Sequence, residues 1–170
     1  MSTPFINYWE TDRIGRGLKL WQRERPDLDS SGKAIVGRVL NLHEIFIARI
    51  NRNLAPLGLR YPAYAVLATL RVSGAPYQMS PSELLDLVVL TSGGLSNLLR
   101  KLEQEGVIER KADDRDGRGV IVQLTAAGIE LADQAMTRHA ALERDLTASL
   151  SPESRDAIGK ALSALIVANP

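Results

Sequence analysis

Residues 79–128 decide the fold of this 170-residue chain; they read MSPSELLDLVVLTSGGLSNLLRKLEQEGVIERKADDRDGRGVIVQLTAAG. A capping box begins at Ser80, with proline at the first helical position and Glu83 three residues after the cap. Thr91 restarts the chain, and Gly106 stands where a C′ glycine ends a helix. The leucines between these two positions recur at helical spacing. The stretch therefore predicts two short helices in succession.

The second helix has an informative face opposite its leucines. Small, hydroxyl, amide and cationic side chains stand on this face or at its margins: Ser92, Gly93, Ser96, Asn97, Arg100 and Lys101. Asparagine reads adenine edges, arginine binds guanine or phosphate, and glycine lets a backbone approach phosphate. The pattern suits insertion into a DNA major groove. For this helix taken alone, however, an ordinary solvated face of an amphipathic helix is the commoner explanation, and the residues that follow have to decide between the two.

A long β-hairpin is predicted next. Residues 107–111 and 119–124 are rich in β-branched side chains and flank a polar loop that carries Arg115 and Arg118. A basic hairpin after a helix-turn-helix is a winged helix, whose wing follows the DNA backbone or the flanking minor groove. The alternative is a solvated hairpin tip, because the aspartates of the loop nearly balance its arginines. We expect Asp113 to bind an arginine or the hairpin backbone and so to fix the shape of the wing.

These motifs resemble the MarR family of bacterial transcription regulators. The family's wing pattern Asp-x-Arg-x-x-Arg is matched by residues 113–118, and its Leu-Thr-x-x-Gly string by residues 124–128. Ser-x-x-Glu-Leu from Ser80 and Leu-Glu-x-x-Gly-x-Ile-x-Arg from Leu102 agree as well. The resemblance implies a homodimer that binds double-stranded DNA at a palindromic operator, most often as a repressor.

Composition narrows the class of protein without identifying it. Hydrophobic residues make up 45% of the chain and the net charge is only +1, so any positive potential toward DNA must be local. The absence of cysteine excludes disulfides, thiolate metal sites and the cysteine-based peroxide sensing of one MarR branch. The N-terminus does not resemble a secretion signal, and no apolar run is long enough for a membrane span. A cytoplasmic protein without a membrane partner is expected.

Helices are predicted on both sides of the winged stretch. Residues 5–25 indicate one long or broken amphipathic helix, interrupted by Gly15 and Gly17. Residues 33–54 indicate a long helix whose apolar arc is wider than one packing face requires, and a short helix opens at Pro62. After the wing, Thr125 caps a long helix and Ser151 begins a last one with a tight apolar stripe.

The expected fold is mainly α with a small β-wing, a winged helix-turn-helix. The apolar faces of the terminal helices have no obvious partner in the same core, so an obligate-type homodimer through the N- and C-terminal helices is predicted. We divide the chain into N-terminal helices (1–57, dimerisation and cover of a ligand pocket), a DNA-binding domain (58–124) and C-terminal dimerisation helices (125–170).

The N-terminal extension resembles the urate-responsive branch of the family. That branch has an extra first helix bearing a tryptophan. Trp21, followed by residues 24–29, resembles that helix and its end. Its ligand-binding aspartate and arginine are replaced here by Ala65 and Leu98, so the resemblance does not extend to urate itself. A less polar aromatic or phenolic effector is expected, or none, with Trp21, His43 and Tyr64 as candidate ligand contacts.

Each aromatic candidate has a purely structural alternative. For Trp21 the alternative is a core or interface aromatic, which is the commoner role of tryptophan. His43 is interpreted first as a satisfied interface histidine, and His139 is expected at the surface or an interface. Two histidines without cysteine or clustered carboxylates argue against a metal site, and no cofactor is expected.

No enzymatic signature is present. The sequence contains no Gly-rich phosphate loop, no nucleophile elbow and no spaced pair of carboxylates. The alternative to DNA binding is a winged-helix dimer that serves as a protein-interaction module. The two differ in whether Asn97, Arg100, Arg115 and Arg118 form one continuous exposed surface.

Overall fold

The computed structural model describes residues 12–112 and 119–169, and the chain divides into two compact units, 1–49 and 50–170. The described residues form seven α-helices and three strands. The helices are α1 (Arg13–Glu24), α2 (Lys33–Leu54), α3 (Tyr61–Val72), α4 (Pro81–Leu87), α5 (Ser92–Gln104), α6 (Ala126–Thr147) and α7 (Pro152–Val167). The strands are β1 (Gln78–Met79), β2 (Ile108–Ala112) and β3 (Val120–Leu124), and a 3₁₀ turn (Ala55–Leu57) follows α2.

The first unit contains α1 and most of α2. Asp12 caps α1 by accepting the backbone N–H of Gly15 at 2.8 Å, and this bond lowers the pKa of Asp12. Arg38 of α2 donates to the same carboxylate at 2.9 Å and ties the two helices together. Of the two alternatives for this helix, long or broken, the described residues show no break at Gly15 or Gly17. Both glycines lie inside α1, where Gly15 is buried on its packing face.

The second unit is a helix-turn-helix with a wing. Its sheet is antiparallel in the order β1-β3-β2, with Ile108 opposite Leu124 at the base of the hairpin and Ala112 opposite Val120 toward its tip. The largest fully buried side chains all belong to this unit: Leu54, Val66, Leu67, Leu70, Leu84, Leu102, Ile108 and Val122. Strand β1 was not predicted, because two residues carry too little periodicity to be read.

The helix boundaries confirm the capping signals. Ser80 accepts from the backbone of Glu83, whose carboxylate accepts the Ser80 N–H at 2.7 Å, so both halves of the capping box are present. Thr91, Thr125 and Ser151 each accept a backbone N–H three residues ahead. Gly106 has φ +72°, the left-handed conformation expected after α5.

Helices α2 and α7 each leave five or more large apolar side chains exposed within one protomer. None of the residues of α7, all of which the structure describes, is buried. The exposed apolar side chains of α7 are Ile158, Leu162, Leu165, Ile166 and Val167; those of α2 are Ile35, Val36, Val39, Leu40, Leu42 and Ile45. Within residues 12–112 and 119–169, no helix is both long and apolar enough to cross a membrane.

Candidate nucleic-acid interface

Helix α5 divides cleanly into a buried face and an exposed face. Leu95, Leu99 and Leu102 are each 3% exposed or less and fix the helix to the core. The exposed residues include the whole predicted contact set on this helix: Ser92, Gly93, Ser96, Asn97, Arg100 and Lys101. The fold therefore presents polar and cationic groups outward on a rigidly seated helix, as a major-groove reader requires.

The start of α5 is closely packed against its own cap. The backbone N–H of Gly94 donates to Thr91 Oγ1 at 3.1 Å, and a Cβ built on Gly94 would lie 3.0 Å from that oxygen. At Gly93, by contrast, an added Cβ would meet no atom of the described residues within 4 Å. Gly94 thus serves the cap, whereas the space beside Gly93 is open for an incoming group.

Two of the predicted contact residues on the exposed face are bonded to each other. Arg100 Nη1 donates to Asn97 Oδ1 at 3.2 Å, one helical turn away. Lys101 lies 3.7 Å from the Glu105 carboxylate in an exposed ion pair, which contributes little to stability. The Asn97 amide oxygen therefore already accepts one hydrogen bond within the protein, while its amide nitrogen remains a donor.

The base of the wing is anchored to α5. Arg110 of β2 lies 3.3 Å from Glu103 of α5. Lys111 contacts Glu109 at 2.7 Å and donates to Gln123 Oε1 on β3 at 3.0 Å. The first contact joins the wing to α5, and the contact between Lys111 and Gln123 joins its two strands to each other. The three wing-tip candidates Asp113, Arg115 and Arg118 lie outside the described residues.

The Leu-Thr-x-x-Gly string has a steric explanation. Thr125 donates its hydroxyl to the Gly106 carbonyl at 2.8 Å and its N–H to the Val107 carbonyl at 3.2 Å. Gly128 lies against the same Val107 carbonyl so closely that an added Cβ would overlap its oxygen. The first turn of α6 is thereby seated on the segment that follows α5, and only glycine permits this approach.

The ligand candidates fall in different parts of the molecule. Trp21 is 44% exposed, and Lys33 Nζ lies 4.4 Å from its ring centroid. Trp21 lines a cavity of about 490 Å³ in the first unit. The other lining residues are Leu28, Asp29, Ser30, Gly32, Lys33, Val36, Gly37 and Leu40. His43 is exposed on α2, Tyr64 belongs to the second unit, and neither lines this cavity.

Tyr64 lies instead in an aromatic cluster with His139. Their ring centroids are 4.3 Å apart, and Tyr61 lies 6.3 Å from each. Burial, with the Glu143 carboxylate as a second cause, raises the pKa of Tyr64 to about 12. His139 is only 5% exposed and its Nε2 lies 3.2 Å from Glu143, so the expectation of a surface or interface position is wrong. The rings of Tyr61 and Tyr64 lie beside His139 and help to bury it. The sequence around His139 does not reveal these neighbours.

Comparison with known proteins places this site in a family. A profile of the MarR family matches residues 57–119, which contain the described part of the helix-turn-helix and β2. The regulator PecS of Dickeya dadantii is 31% identical over 138 residues, covering 81% of this chain and 83% of PecS. The chain belongs to the MarR family.

Two further likenesses fit this MarR-family assignment. The multiple antibiotic resistance protein MarR of Salmonella typhimurium is 33% identical over 104 residues, covering 58% of this chain and 70% of that protein. A mutant MarR from Escherichia coli in complex with operator DNA has a TM-score of 0.69 at 24% identity, covering 86% of this chain and 97% of that one. The MarR-family chain is thus a winged helix-turn-helix DNA-binding transcription regulator, as residues 79–128 predicted.

Some features of this MarR-family site were not visible in the sequence. The sequence contains the glycine of the Leu-Thr-x-x-Gly string but not the carbonyl it faces. The aromatic cluster around His139 joins α3 to α6, and β1 joins the chain before α4 to the wing. Among the described residues no group of three or more His, Asp or Glu side chains is placed to hold a metal ion.

Proposed function

We propose that this MarR-family protein is a homodimeric repressor that binds a palindromic operator and is released by a small aromatic or phenolic ligand. Asn97 and Arg100, with Ser92, Gly93, Ser96 and Lys101 around them, contact the major groove. Arg115 and Arg118 hold the flanking minor groove or the backbone, and Asp113 fixes the shape of the wing.

The observation that carries the proposal is the exposed polar face of α5 on a helix whose opposite face is fully buried. A recognition helix must present a defined set of donors and acceptors without moving relative to its core. Three leucines at 3% exposure or less satisfy the second condition, and the Asn97–Arg100 pair supplies the first. A side chain that forms two hydrogen bonds with a base edge discriminates against the wrong base by about 1–3 kcal/mol.

Dimerisation is supported by the exposed apolar faces of α2 and α7. Leu162 and Leu165 of α7 are each 41% exposed within one protomer, and Leu40 of α2 is 62% exposed. Contiguous apolar side chains on a helix usually mark an interface. A two-fold dimer would place two copies of α5 on successive major grooves, which explains a palindromic site.

The ligand part of the proposal is supported by the cavity beside Trp21. Its volume of about 490 Å³ suits a small molecule, and one indole ring forms part of its wall. Polar groups line the same cavity. The Ser31 N–H donates to Asp29 at 2.9 Å and lowers the pKa of this carboxyl, so the wall carries an anion as well as the Lys33 cation. We expect an uncharged or weakly acidic aromatic compound, whose ring would lie beside Trp21.

The DNA-binding part is tested by titrating the purified protein into a fluorescent fragment of its own promoter at two salt concentrations, with random-sequence competitor. Asn97→Ala and Arg100→Ala should lower the preference for the operator over random DNA by about 1–3 kcal/mol each. Arg118→Ala should weaken binding to all sequences and reduce the salt slope by about 0.9 for each phosphate that the arginine neutralises in the wild type.

The matched control is Lys160→Ala, which removes an exposed cation that is paired with Asp156 on α7. It should change neither the operator preference nor the salt slope. Equal losses on operator and random DNA for all three test variants would overturn the assignment of roles. If the wild-type protein binds no DNA at either salt concentration, the protein-interaction module becomes the better description.

The ligand part is tested by adding a panel of phenols to the protein–operator complex. An active compound should release the DNA and quench the fluorescence of the free protein. Trp21→Phe should abolish the quenching and raise the concentration needed for release. Release that is unchanged in Trp21→Phe would place the effector elsewhere.

A further inference from the structure

Arg71, in the last turn of α3, makes two contacts that the DNA-binding site does not explain. Its Nη2 donates to Asp133 Oδ2 of α6 at 3.3 Å, and its Nε lies 2.8 Å from Oδ1 in an ion pair. Its guanidinium carbon lies 4.7 Å from the ring centroid of Tyr77. Arg71 therefore joins α6 to the turn that precedes β1.

Tyr77 has an unusual backbone conformation. It has φ +61°, a conformation that non-glycine residues rarely adopt. Its N–H donates to the Gly74 carbonyl at 2.6 Å, and its own carbonyl accepts the N–H of Leu124 at 3.1 Å. The ring stacked under Arg71 is thus attached to a constrained residue that is bonded directly to the end of β3.

The same turn reaches the wing through side chains. The Pro76 carbonyl accepts from Gln123 Nε2 at 3.1 Å, and Gln123 Oε1 accepts from Lys111 Nζ at 3.0 Å. Lys111 is the penultimate residue of β2, on the side toward the hairpin tip. A continuous series of contacts therefore runs from Asp133 on α6 to the outer part of the wing.

We infer that Arg71 is a positioning residue that couples the position of α6 to the orientation of the wing. The inference deepens the proposed function, since it rests on α6 belonging to the dimerisation part and on the wing contacting DNA. A shift of α6 would move the Asp133 carboxylate, and with it the guanidinium that holds Tyr77 and the β3 end of the wing. Arginine suits this role because its planar group can pair with a carboxylate and stack on a ring at the same time.

Energetics favour a geometric role over a stabilising one. The Asp133 side chain is 51% exposed and that of Arg71 is 30% exposed. An ion pair that keeps this much contact with solvent contributes little to the free energy of unfolding. Breaking the pair should therefore change the orientation of the wing while leaving the free energy of unfolding almost unchanged. This difference makes the inference testable.

The first measurement is hydrogen exchange of the full-length protein without DNA, comparing Arg71→Gln with wild type. We expect faster exchange of the β3 amides, above all Leu124, with unchanged exchange in α5 and an almost unchanged thermal midpoint. Arg71→Lys, which keeps the charge but not the planar group, should show an intermediate effect. The control is Arg144→Ala, an exposed arginine on α6, which should leave β3 exchange unchanged.

The second measurement is affinity for promoter DNA in a double-mutant cycle with Gln123→Leu, which breaks the contact between the turn and β3. Arg71→Gln should weaken binding about two- to thirtyfold at all sequences, the range seen for residues that modulate coupling. If the two residues act in series, the double variant should bind no more weakly than the weaker of the two single variants.

Unchanged β3 exchange in Arg71→Gln would overturn the inference, and so would fully additive effects on affinity with Gln123→Leu. A lowered thermal midpoint accompanied by faster exchange throughout the second unit would assign Arg71 a merely structural role and overturn it as well. If wild type fails to bind promoter DNA, the proposed function fails, while the exchange comparison still decides the coupling between α6 and the wing.

Discussion

The winged helix-turn-helix and α7 belong to the same compact unit but differ in the burial of their apolar side chains. Leu67, Leu70 and Leu84 of the winged part are fully buried, whereas no residue of the fully described α7 is. Both segments have clear helical periodicity and well-formed caps. The difference shows that periodicity specifies a helix and its apolar face, while the topology decides whether that face is covered within one protomer.

The contrast has a functional meaning. The winged part completes its core alone and can therefore hold α5 rigidly in the absence of DNA. Helix α7 and the exposed face of α2 have side chains left to bury, which a second copy would cover in the proposed dimer. The part that reads DNA and the part that joins protomers can then respond separately to substitution.

The largest expected effect is in the winged core. Leu67→Ala should lower the free energy of unfolding by about 2–5 kcal/mol, because it removes a fully buried side chain and leaves a cavity. Urea denaturation at several protein concentrations measures it. The destabilisation should be the same at every concentration if this core is complete within one protomer. A destabilisation that depended strongly on concentration would contradict the comparison.

The next largest effect is expected at the contact between α6 and the segment that follows α5. Gly128→Ala adds a methyl group that overlaps the Val107 carbonyl oxygen, so the backbone must shift at a cost of about 1–3 kcal/mol. Thermal unfolding measures the decrease in stability. Gly159→Ala on α7 is the matched control, since its added Cβ would meet no described atom within 4 Å. Equal destabilisation by both substitutions would show that glycine at 128 has no steric role.

A smaller and different effect is expected on α7. Leu162→Ala should weaken dimerisation by about 1 kcal/mol per protomer, because its partly exposed side chain has only some apolar area left to bury. Sedimentation equilibrium measures the monomer–dimer constant, and Lys160→Ala on the same helix serves as the control. An unchanged constant in Leu162→Ala would remove α7 from the interface.

The smallest effect at neutral pH concerns the aromatic cluster. The pKa of Tyr64 is raised from its ordinary 10.0 to about 12, so the unfolded chain loses this proton at lower pH than the folded protein. Stability from this group is complete below about pH 10 and is lost as the pH rises toward 12. Ultraviolet titration should show a late tyrosine that Tyr64→Phe removes. A titration curve in which all tyrosines ionise near pH 10 would contradict the burial of this ring.

The sequence by itself determined most of the local structure of this MarR-family protein. The Ser80 capping box, the Thr125 cap and the Gly106 terminus were predicted correctly, and α2 has the predicted bounds of residues 33–54. These features depend on side chains that bond to backbone a few residues away, so their spacing in the sequence is enough to reveal them. The exposed face of α5 followed from the same periodicity.

The tertiary structure alone decided which distant groups meet. It buried His139 beside the tyrosines of α3, placed Gly128 against the Val107 carbonyl, added β1 beside β3 and placed Arg71 in contact with both Asp133 and Tyr77. Each of these contacts joins elements separated by many residues, and the identity of one partner says nothing about where the other will lie. Helical periodicity and capping depend on residues that are neighbours along the chain. Burial of a side chain, close contact between two backbones and coupling between distant elements depend on packing, which only the folded chain defines.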